Sequence, residues 1–378
     1  MVLANASSRL LFFVDQLRIG GSMRAAVVEA LGRPLIVRDV ADPVCPPDGV
    51  VVRVGANGIC RTDWALWDGM FWDGGPTLSL PWVLGHEFAG TIVEVGPAVR
   101  GWKVGQRVTY PMNPGDGTCT VCRTGQQQVC EHFAEMVPGV SFWGSFAELV
   151  AVRHADVNLV ELPDTLDFAS AAALGCRYIA AFHGVVDQAR VRGGEWVVVH
   201  GAGGGMGLSA VQVAAAVGAS VIAVDIGPEK LALACAAGAV ATIDAGEADV
   251  AEAVVDMTRG GAQVSIDAVG LAETCRTSIA SLRIRGRHLQ LGHTTPAEGG
   301  VVALPIDVMM IKELEFVSAF GMAAHSFDTM LAMIATRRLD PGALITQRVP
   351  LEHAGGVLAD MRDFGTAGLV VIDQFATM

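Results

Sequence analysis

The chain has 378 residues, a formal net charge of −13 and a mean hydropathy of +0.45, and 52% of its residues are hydrophobic. This length exceeds the usual size of a single hydrophobic core, so we expect two domains. The acidic balance, without any run of Lys or Arg, argues against nucleic acid and anionic membranes as partners.

The first 22 residues show no clear periodicity, and a strand pattern begins at Met23. We expect residues 1–22 to be an extension that is disordered or starts from an upstream codon. The short apolar run Leu10–Val14 lacks the basic residues of a signal peptide. Eight cysteines without the pattern of a small secreted domain indicate a reducing compartment, which predicts a cytoplasmic protein.

Short strand-forming runs separated by Gly and Pro occupy the chain from Met23 to about Val152. Their period-two stretches and frequent turn residues predict a compact, mostly-β domain. The clearest runs are Val50–Val54, Gly90–Gly96, Gln106–Thr109 and Phe146–Val150.

Within this domain a thiol and an imidazole each stand close to a carboxylate: Cys60 near Asp63, and His86 beside Glu87. Cys and His are the usual zinc ligands, and a catalytic zinc needs three protein ligands and an open fourth position. Asp63 is the candidate acceptor for the second ring N–H of His86, with Glu87 behind the metal. The alternative is a buried Cys that acts as a small hydrophobe and a His–Glu pair that arises by chance.

The pattern changes after Leu162, where Ala-rich helical segments begin and then alternate with strands. Such alternation predicts a doubly wound parallel sheet. The most apolar region of the chain is interrupted by glycine too often to be a membrane span. We therefore predict an α/β chain with a catalytic domain over 23–177 and 323–378 and a Rossmann domain over 178–322. The expected elements are Trp196–His200, Leu208–Val217, Ser220–Asp225, Pro228–Ala236, Ala262–Asp267, Leu271–Leu282, Arg287–Leu291 and an edge strand, Glu315–Met322.

A glycine-rich loop follows the apolar strand Trp196–His200 and opens a helix. Its glycines permit a tight turn and let backbone N–H groups approach a pyrophosphate at the helix N-terminus. Asp225 follows at roughly the expected 20 residues and would bind a ribose 2′-hydroxyl while repelling a 2′-phosphate, which predicts NAD. Asp225 could instead be a simple turn cap, and Lys230 could reach the ribose or remain solvated. The loop residues are Gly201, Gly203, Gly204, Gly205, Met206 and Gly207.

Together these motifs resemble the zinc-dependent medium-chain alcohol dehydrogenases, over essentially the whole chain from Met23 onward. The segment 85–87, with Gly90, Gly96 and Val99 after it, is similar to that family's zinc signature. The resemblance implies a GroES-like catalytic domain, mostly β, joined to a Rossmann domain, with zinc in the cleft between them. It also implies Cys176 as the third zinc ligand, a choice that resembles the alcohol-oxidising branch of the superfamily.

Other roles follow from the same resemblance. Thr62 would carry the alcohol's proton, the alternative being a β-turn hydroxyl bonded to backbone. Arg61 would contact the cofactor pyrophosphate, the alternative being a solvated surface Arg. Ala65 stands where many relatives have a relay histidine, so the proton would leave through the ribose hydroxyl and water. A second basic residue that is common near the C-terminus is absent from 365–368. Gly292 and His293 would lie near the nicotinamide.

A lobe at 113–132 resembles the family's structural zinc lobe. Cys119, Cys122 and Cys130 match three of its four ligands, and Asp116 occupies the position of the first. Zinc accepts a carboxylate oxygen in a tetrahedral site, so a Cys₃Asp site is feasible. The alternative is a lobe that has lost its metal and keeps three free thiols, because an oxygen ligand weakens a soft site.

The resemblance also suggests a substrate pocket and a mode of assembly. Aromatic and Met side chains near the cleft could line a pocket for a small hydrophobic alcohol or carbonyl compound, although such residues are more often core. Relatives associate through edge strands, so Glu315–Met322 predicts a homodimer or homotetramer. The pocket candidates are Trp64, Trp67, Phe71, Trp72, Met112, Trp143 and Phe146.

The sequence thus predicts a zinc-dependent oxidoreductase that interconverts an alcohol and an aldehyde or ketone by hydride transfer to NAD. With two thiolates and a neutral imidazole as ligands, an alcohol in the fourth position would ionise near neutral pH. The closest alternative is a zinc-free quinone or enoyl reductase of the same superfamily. A non-enzymatic structural relative is a further alternative, but it would have more eroded catalytic positions than Ala65 and Asp116.

Overall fold

The computed structural model describes residues 17–69, 78–362 and 365–375. Sixteen strands are present in these ranges. They are β1 (Leu17–Val28), β2 (Ile36–Pro43), β3 (Val50–Ile59), β4 (Trp82–Val83), β5 (Glu87–Val95), β6 (Arg107–Thr109), β7 (Leu149–Val152), β8 (Val160–Glu161), β9 (Trp196–His200), β10 (Ser220–Asp225), β11 (Ala241–Asp244), β12 (Ala262–Asp267), β13 (Leu282–Gln290), β14 (Glu315–Ser318), β15 (Ile345–Pro350) and β16 (Leu369–Gln374).

The α-helices of the described residues are short in the N-terminal part and longer after residue 200. They are α1 (Arg61–Asp68), α2 (Thr120–Arg123), α3 (Ala155–Asn158), α4 (Phe168–Ala172), α5 (Ile179–His183), α6 (Gly205–Ala216), α7 (Pro228–Ala236), α8 (Val250–Thr258), α9 (Ala272–Ala280), α10 (Ile306–Ile311), α11 (Phe327–Ala335) and α12 (Ala354–Asp360). Two π-helical segments, Leu174–Tyr178 and Gly184–Gln188, flank α5.

Two sheets make up the mostly-β part. One has the order β2-β1-β4, and the other has the order β15-β16-β3-β5-β6-β8 with β7 also paired to β3. The C-terminal strand β16 pairs antiparallel with β3, so both ends of the chain contribute to this sheet. The alternating side chains of β3 and β5 bury Val52, Phe88 and Ile92 in the core.

Strand β1 corrects one sequence prediction. It begins at Leu17, not Met23, and Leu17 pairs with Pro43 across an irregularity that precedes Ser22. The residues before Met23 belong to the strand because β1 pairs with β2. Their own sequence shows no strand periodicity, so the sequence did not predict this pairing. The remainder of the predicted extension, residues 1–16, lies outside the described residues.

The second part is a six-stranded parallel sheet with the order β11-β10-β9-β12-β13-β14. The order reverses at β9, because the chain first builds outward through β10 and β11 and then returns to β12. A crevice at such a reversal, beyond the carboxyl ends of the strands, is where parallel α/β sheets bind ligands.

The last strand of this sheet is shorter than predicted. Strand β14 ends at Ser318 instead of Met322, and Gly321 has a φ of +66° that ends the extended run. This φ is one that glycine adopts without strain, so the chain turns away from the sheet edge here. No helix within the described residues is both long and apolar enough to cross a membrane.

Candidate functional site

The site begins where β3 ends and α1 starts. Cys60 is the N-cap of α1, and the fully buried carboxylate of Asp63 accepts hydrogen bonds from the backbone N–H of Cys60 (2.9 Å) and of Gly85 (3.1 Å). A capping carboxylate satisfies N–H groups that a helix leaves unpaired. Asp63 therefore ties the Cys60 turn to the loop that carries His86.

Four side chains converge at this point. One potential ligand atom from each of Cys60, His86, Glu87 and Cys176 lies within 4.8 Å of every other. Cys60, His86 and Glu87 are buried, and Cys176 is half-buried. The sulfur atoms of Cys60 and Cys176 are 4.0 Å apart. Two thiolates on a tetrahedral zinc lie about 3.8 Å apart, because each Zn–S bond is about 2.3 Å long.

The imidazole of His86 is also arranged as a metal ligand would be. Its Nδ1 lies 3.0 Å from Oδ1 of Asp63, the carboxylate that the sequence predicted as its partner, although the geometry of this contact is not that of a hydrogen bond. Its Nε2 is buried and has no hydrogen-bond partner among the described residues. An unpaired buried nitrogen costs free energy, and a metal ion bound at Nε2 would remove that cost.

The pKa shifts in the cluster are also consistent with a metal site. Hydrogen bonding with Cys176 lowers the pKa of Cys60, and the same contact, with burial, raises the pKa of Cys176. Burial opposes protonation of His86, but the carboxylate of Asp63 raises its pKa overall. Two adjacent thiols that cannot both ionise readily are a donor set suited to a cation, which stabilises both thiolates. The residues present fit a zinc ion.

Arg177 is the site residue that the sequence analysis did not assign. Its Nε donates to Oε1 of Glu87 (3.0 Å) and its Nη2 donates to Oε2 (2.6 Å). Burial raises the pKa of Glu87 to about 7, although Arg177 opposes that rise. The sequence did contain a signal for this pair. Arg177 is a charged residue in an apolar, Ala-rich segment, and a charge that is buried is almost always paired.

The cofactor candidates lie at the carboxyl end of β9. Gly203 and Gly207 have no room for a side chain: an added Cβ would lie 2.3 Å from Cβ of Lys230 and 2.0 Å from the carbonyl oxygen of Gly201, respectively. Gly204 caps α6, whose first turn offers unpaired N–H groups. Gly201 completes the loop, and Gly205 and Met206 lie in the first turn of α6, so this segment fits a pyrophosphate.

Asp225 ends β10 beside this loop. Its Oδ2 accepts a hydrogen bond from the N–H of Gly203 (2.8 Å), and its Oδ1 lies 3.7 Å from Nζ of Lys230. The turn-cap alternative holds in part, because Oδ1 also accepts from the N–H of Ile226 (2.8 Å). With both hydrogen bonds, the carboxylate of Asp225 lies at the edge of the glycine loop, where the sequence predicted that a ribose binds.

Arg61 and Thr62 occupy the first turn of α1. The guanidinium of Arg61 donates to the carbonyl oxygen of Met361 (2.8 Å) and lies over the ring of Trp64, 4.3 Å from its centre. Thr62 is half-buried, and no hydrogen bond joins its hydroxyl to any described residue. It lies in the first turn of α1 and not in a β-turn.

Gly292 and His293 follow β13 at the carboxyl end of the parallel strands. The ring of His293 packs edge-on against Phe320, with centroids 5.9 Å apart. Desolvation lowers the pKa of His293, and the charge of Cys60 opposes that shift. Gly292 is packed closely on Gly270, where an added Cβ would lie 2.5 Å from the backbone nitrogen.

The predicted pocket residues divide into three groups. Trp67 and Phe146 belong to the core of the mostly-β part, as Trp64 does, and the indole N–H of Trp67 donates to the carbonyl of Arg33. Their assignment to the pocket stays a prediction. Met112 donates its N–H to Gly175 (3.0 Å), next to Cys176. The other candidates are Trp64 (buried), Trp143 (half-buried), and Phe71 and Trp72, which lie outside the described residues.

The lobe at 113–132 brings its four predicted ligands together. One ligand atom from each of Asp116, Cys119, Cys122 and Cys130 lies within 4.8 Å of the others, and the sulfurs of Cys119 and Cys130 are 3.8 Å apart. The carboxylate of Asp116 also contacts Nδ1 of His132 at 2.7 Å, a residue that the sequence analysis missed. The donor set fits zinc, and His132 would orient the carboxylate.

We expect two zinc ions per chain, measured by elemental analysis of purified protein. Replacing Cys122 by serine should reduce the zinc content to one and leave the zinc at Cys60 in place, because a serine hydroxyl is a poor zinc ligand. The same substitution at the exposed Cys235 is the control. A content of one zinc in the unaltered protein would contradict a metal in this lobe.

Comparison with known families identifies both parts of the chain. The Alcohol dehydrogenase GroES-like domain family matches residues 46–164, and the Zinc-binding dehydrogenase family matches residues 205–336. The chain is 32% identical to an alcohol dehydrogenase of Geobacillus stearothermophilus over 93% of this chain and 99% of that protein.

Two further relatives differ in the reaction or the cofactor that their descriptions name. An acryloyl-coenzyme A reductase of Sulfurisphaera tokodaii is 28% identical over 93% of this chain and 99% of that protein. A solved structure from Sinorhizobium meliloti, described as a zinc-binding dehydrogenase bound to NADP, is 31% identical. It covers 93% of this chain and 99% of that one, with a TM-score of 0.81.

Proposed function

This chain belongs to the zinc-dependent medium-chain alcohol dehydrogenase family, and we propose that it interconverts a small hydrophobic alcohol and its aldehyde or ketone by hydride transfer to NAD. The observation that carries the proposal is the convergence of Cys60, His86 and Cys176 beside a glycine loop at the reversal of a parallel sheet.

Each side chain of the site has a separate role in the proposed reaction. Zinc, when bound by Cys60, His86 and Cys176, supplies a Lewis acid that lowers the pKa of a hydroxyl group and polarises a carbonyl. Asp63 holds the ring of His86 and the turn of Cys60. We expect the hydroxyl of Thr62, which has no hydrogen-bond partner among the described residues, to accept the proton of the alcohol and pass it toward the ribose and water, because Ala65 offers no relay imidazole.

The glycine loop and Asp225 hold the cofactor. Backbone N–H groups at the start of α6 bind the pyrophosphate, and the carboxylate of Asp225 accepts a hydrogen bond from the ribose. A 2′-phosphate would place a second negative charge beside Asp225, so NAD is favoured over NADP. Lys230 partly offsets the charge of Asp225, so we expect the preference for NAD to be moderate.

Zinc-dependent NADH formation tests the proposal. The purified protein should reduce NAD⁺ with at least one alcohol in a panel of primary, secondary and aromatic alcohols, and zinc chelation should abolish the reaction. NADP⁺ should react more slowly. Consumption of NAD(P)H by an activated alkene or quinone in chelated protein, without any alcohol reaction, would instead support the zinc-free reductase. The acryloyl-coenzyme A reductase relative makes that the second candidate.

The assembly that we propose is a homodimer or homotetramer joined through β14. This strand is an edge of the parallel sheet, and Phe316 on it and Met310 and Ile311 on the adjacent α10 are exposed large hydrophobic residues. Exposed apolar surface beside an open edge strand favours pairing with a second copy. Sedimentation should show the dimer or tetramer, and a monomer at micromolar concentration would contradict the proposal.

A further inference from the structure

Arg177 lies between the two halves of the proposed site. It follows Cys176 in the π-helical segment Leu174–Tyr178 and is 7% exposed. Two of its three nitrogens, Nε and Nη2, are used by the bidentate pair with Glu87. The carboxylate is enclosed from the other side, because an added Cβ at Gly58 would lie 2.1 Å from Oε2 of Glu87.

The third nitrogen of Arg177 faces the cofactor loop. An added Cβ at Gly205, the first residue of α6, would lie 2.7 Å from Nη1. No hydrogen bond from Nη1 to any described residue accompanies this close approach, whereas the other two nitrogens are both paired. A guanidinium presents its donors in a rigid fork, so one side can hold a carboxylate while the other remains directed at a second anion.

The other basic groups near the loop are engaged elsewhere. Lys230 lies beside Asp225, and Arg61 donates to Met361 and stacks on Trp64. The segment 365–368, where relatives often have a basic residue, contacts the loop through its backbone: the N–H of Gly368 donates to the carbonyl of Gly203 (2.9 Å). The pyrophosphate of a dinucleotide carries two negative charges that this segment cannot neutralise.

We propose that Arg177 binds the pyrophosphate of the dinucleotide through Nη1 while Nε and Nη2 hold Glu87 behind the metal. One buried guanidinium thereby replaces the missing basic residue near the C-terminus and connects the cofactor loop to the metal cluster. The inference rests on the proposed dinucleotide cofactor and assigns its phosphate contact to a residue of this chain.

Binding of ADP-ribose and of adenosine to the zinc-containing protein, measured by calorimetry, tests this assignment. ADP-ribose contains the pyrophosphate and adenosine lacks it. Arg177→Met should weaken ADP-ribose binding by about tenfold or more, the range expected for one charged hydrogen bond, and leave adenosine binding unchanged. Arg177→Lys should recover part of the loss. Arg192→Met, at an exposed arginine before β9, is the matched control and should change neither affinity.

Loss of Arg177 could unfold the protein, because it leaves the buried Glu87 without a partner. A second pair of variants, which removes the charge of Glu87, keeps the test valid in that case. Glu87→Gln should retain ADP-ribose affinity, and Arg177→Met combined with Glu87→Gln should lose it. Equal ADP-ribose affinities in these two variants, or equal losses for ADP-ribose and adenosine, would overturn the assignment. If the unaltered protein binds adenosine but gains nothing from the pyrophosphate, the dinucleotide cofactor itself is contradicted.

Discussion

Replacing Cys176 by serine should lower kcat/KM for alcohol oxidation by about a thousandfold and reduce zinc occupancy of the catalytic cluster. A metal that activates a hydroxyl group is worth several kcal/mol, and each factor of ten in rate corresponds to about 1.4 kcal/mol. Serine keeps nearly the same volume in this tight position, so the loss would report on ligand chemistry. Steady-state kinetics and elemental analysis of the same preparation measure both effects.

Cys275 provides the matched control for this substitution. It is also a buried free thiol, but it lies on α9, outside both cysteine clusters. Cys275→Ser should keep its zinc and its kcat/KM, with at most a modest loss of stability. Full zinc content and full activity in Cys176→Ser would remove Cys176 from the ligand set and favour the zinc-free reductase.

Replacing Asp63 by alanine should weaken zinc binding about 10- to 100-fold and lower the free energy of unfolding by about 3 kcal/mol. The first effect is expected because acceptors behind ligating histidines orient the ring. The second arises because the buried N–H groups of Cys60 and Gly85 lose their acceptor, and each unpaired group costs about 1–3 kcal/mol. Competition with a zinc chelator and urea denaturation measure the two quantities.

Asp68 is the control for Asp63, because it lies on the same helix but pairs with the exposed side chain of Arg362. Ion pairs of this kind contribute about 0–1 kcal/mol, so Asp68→Ala should leave zinc affinity unchanged and cost little stability. If Asp63→Ala behaved like Asp68→Ala, Asp63 would be a helix cap without a role at the metal.

The sequence by itself determined the parts of this protein that depend on residues close together in the chain. The glycine loop, Asp225 and the alternation of strands and helices from Trp196 onward are local patterns, because backbone geometry and side-chain periodicity act over a few residues. The pairing of Asp63 with the Cys60 turn is local as well, since the two are three residues apart. Strands β9 and β10 and helix α7 have the predicted bounds.

Only the tertiary structure decided which distant groups meet. Cys60 and Cys176 are 116 residues apart, and the resemblance to a family, not their spacing, suggested that they converge. Neither the contact of Arg177 with Glu87 and Gly205 nor that of His132 with Asp116 leaves a periodic signal. The start of β1 and the end of β14 depended on strand pairing and a turn, and the burial of Trp67 depended on packing. Such contacts join residues distant in the chain, so only the folded arrangement specifies them.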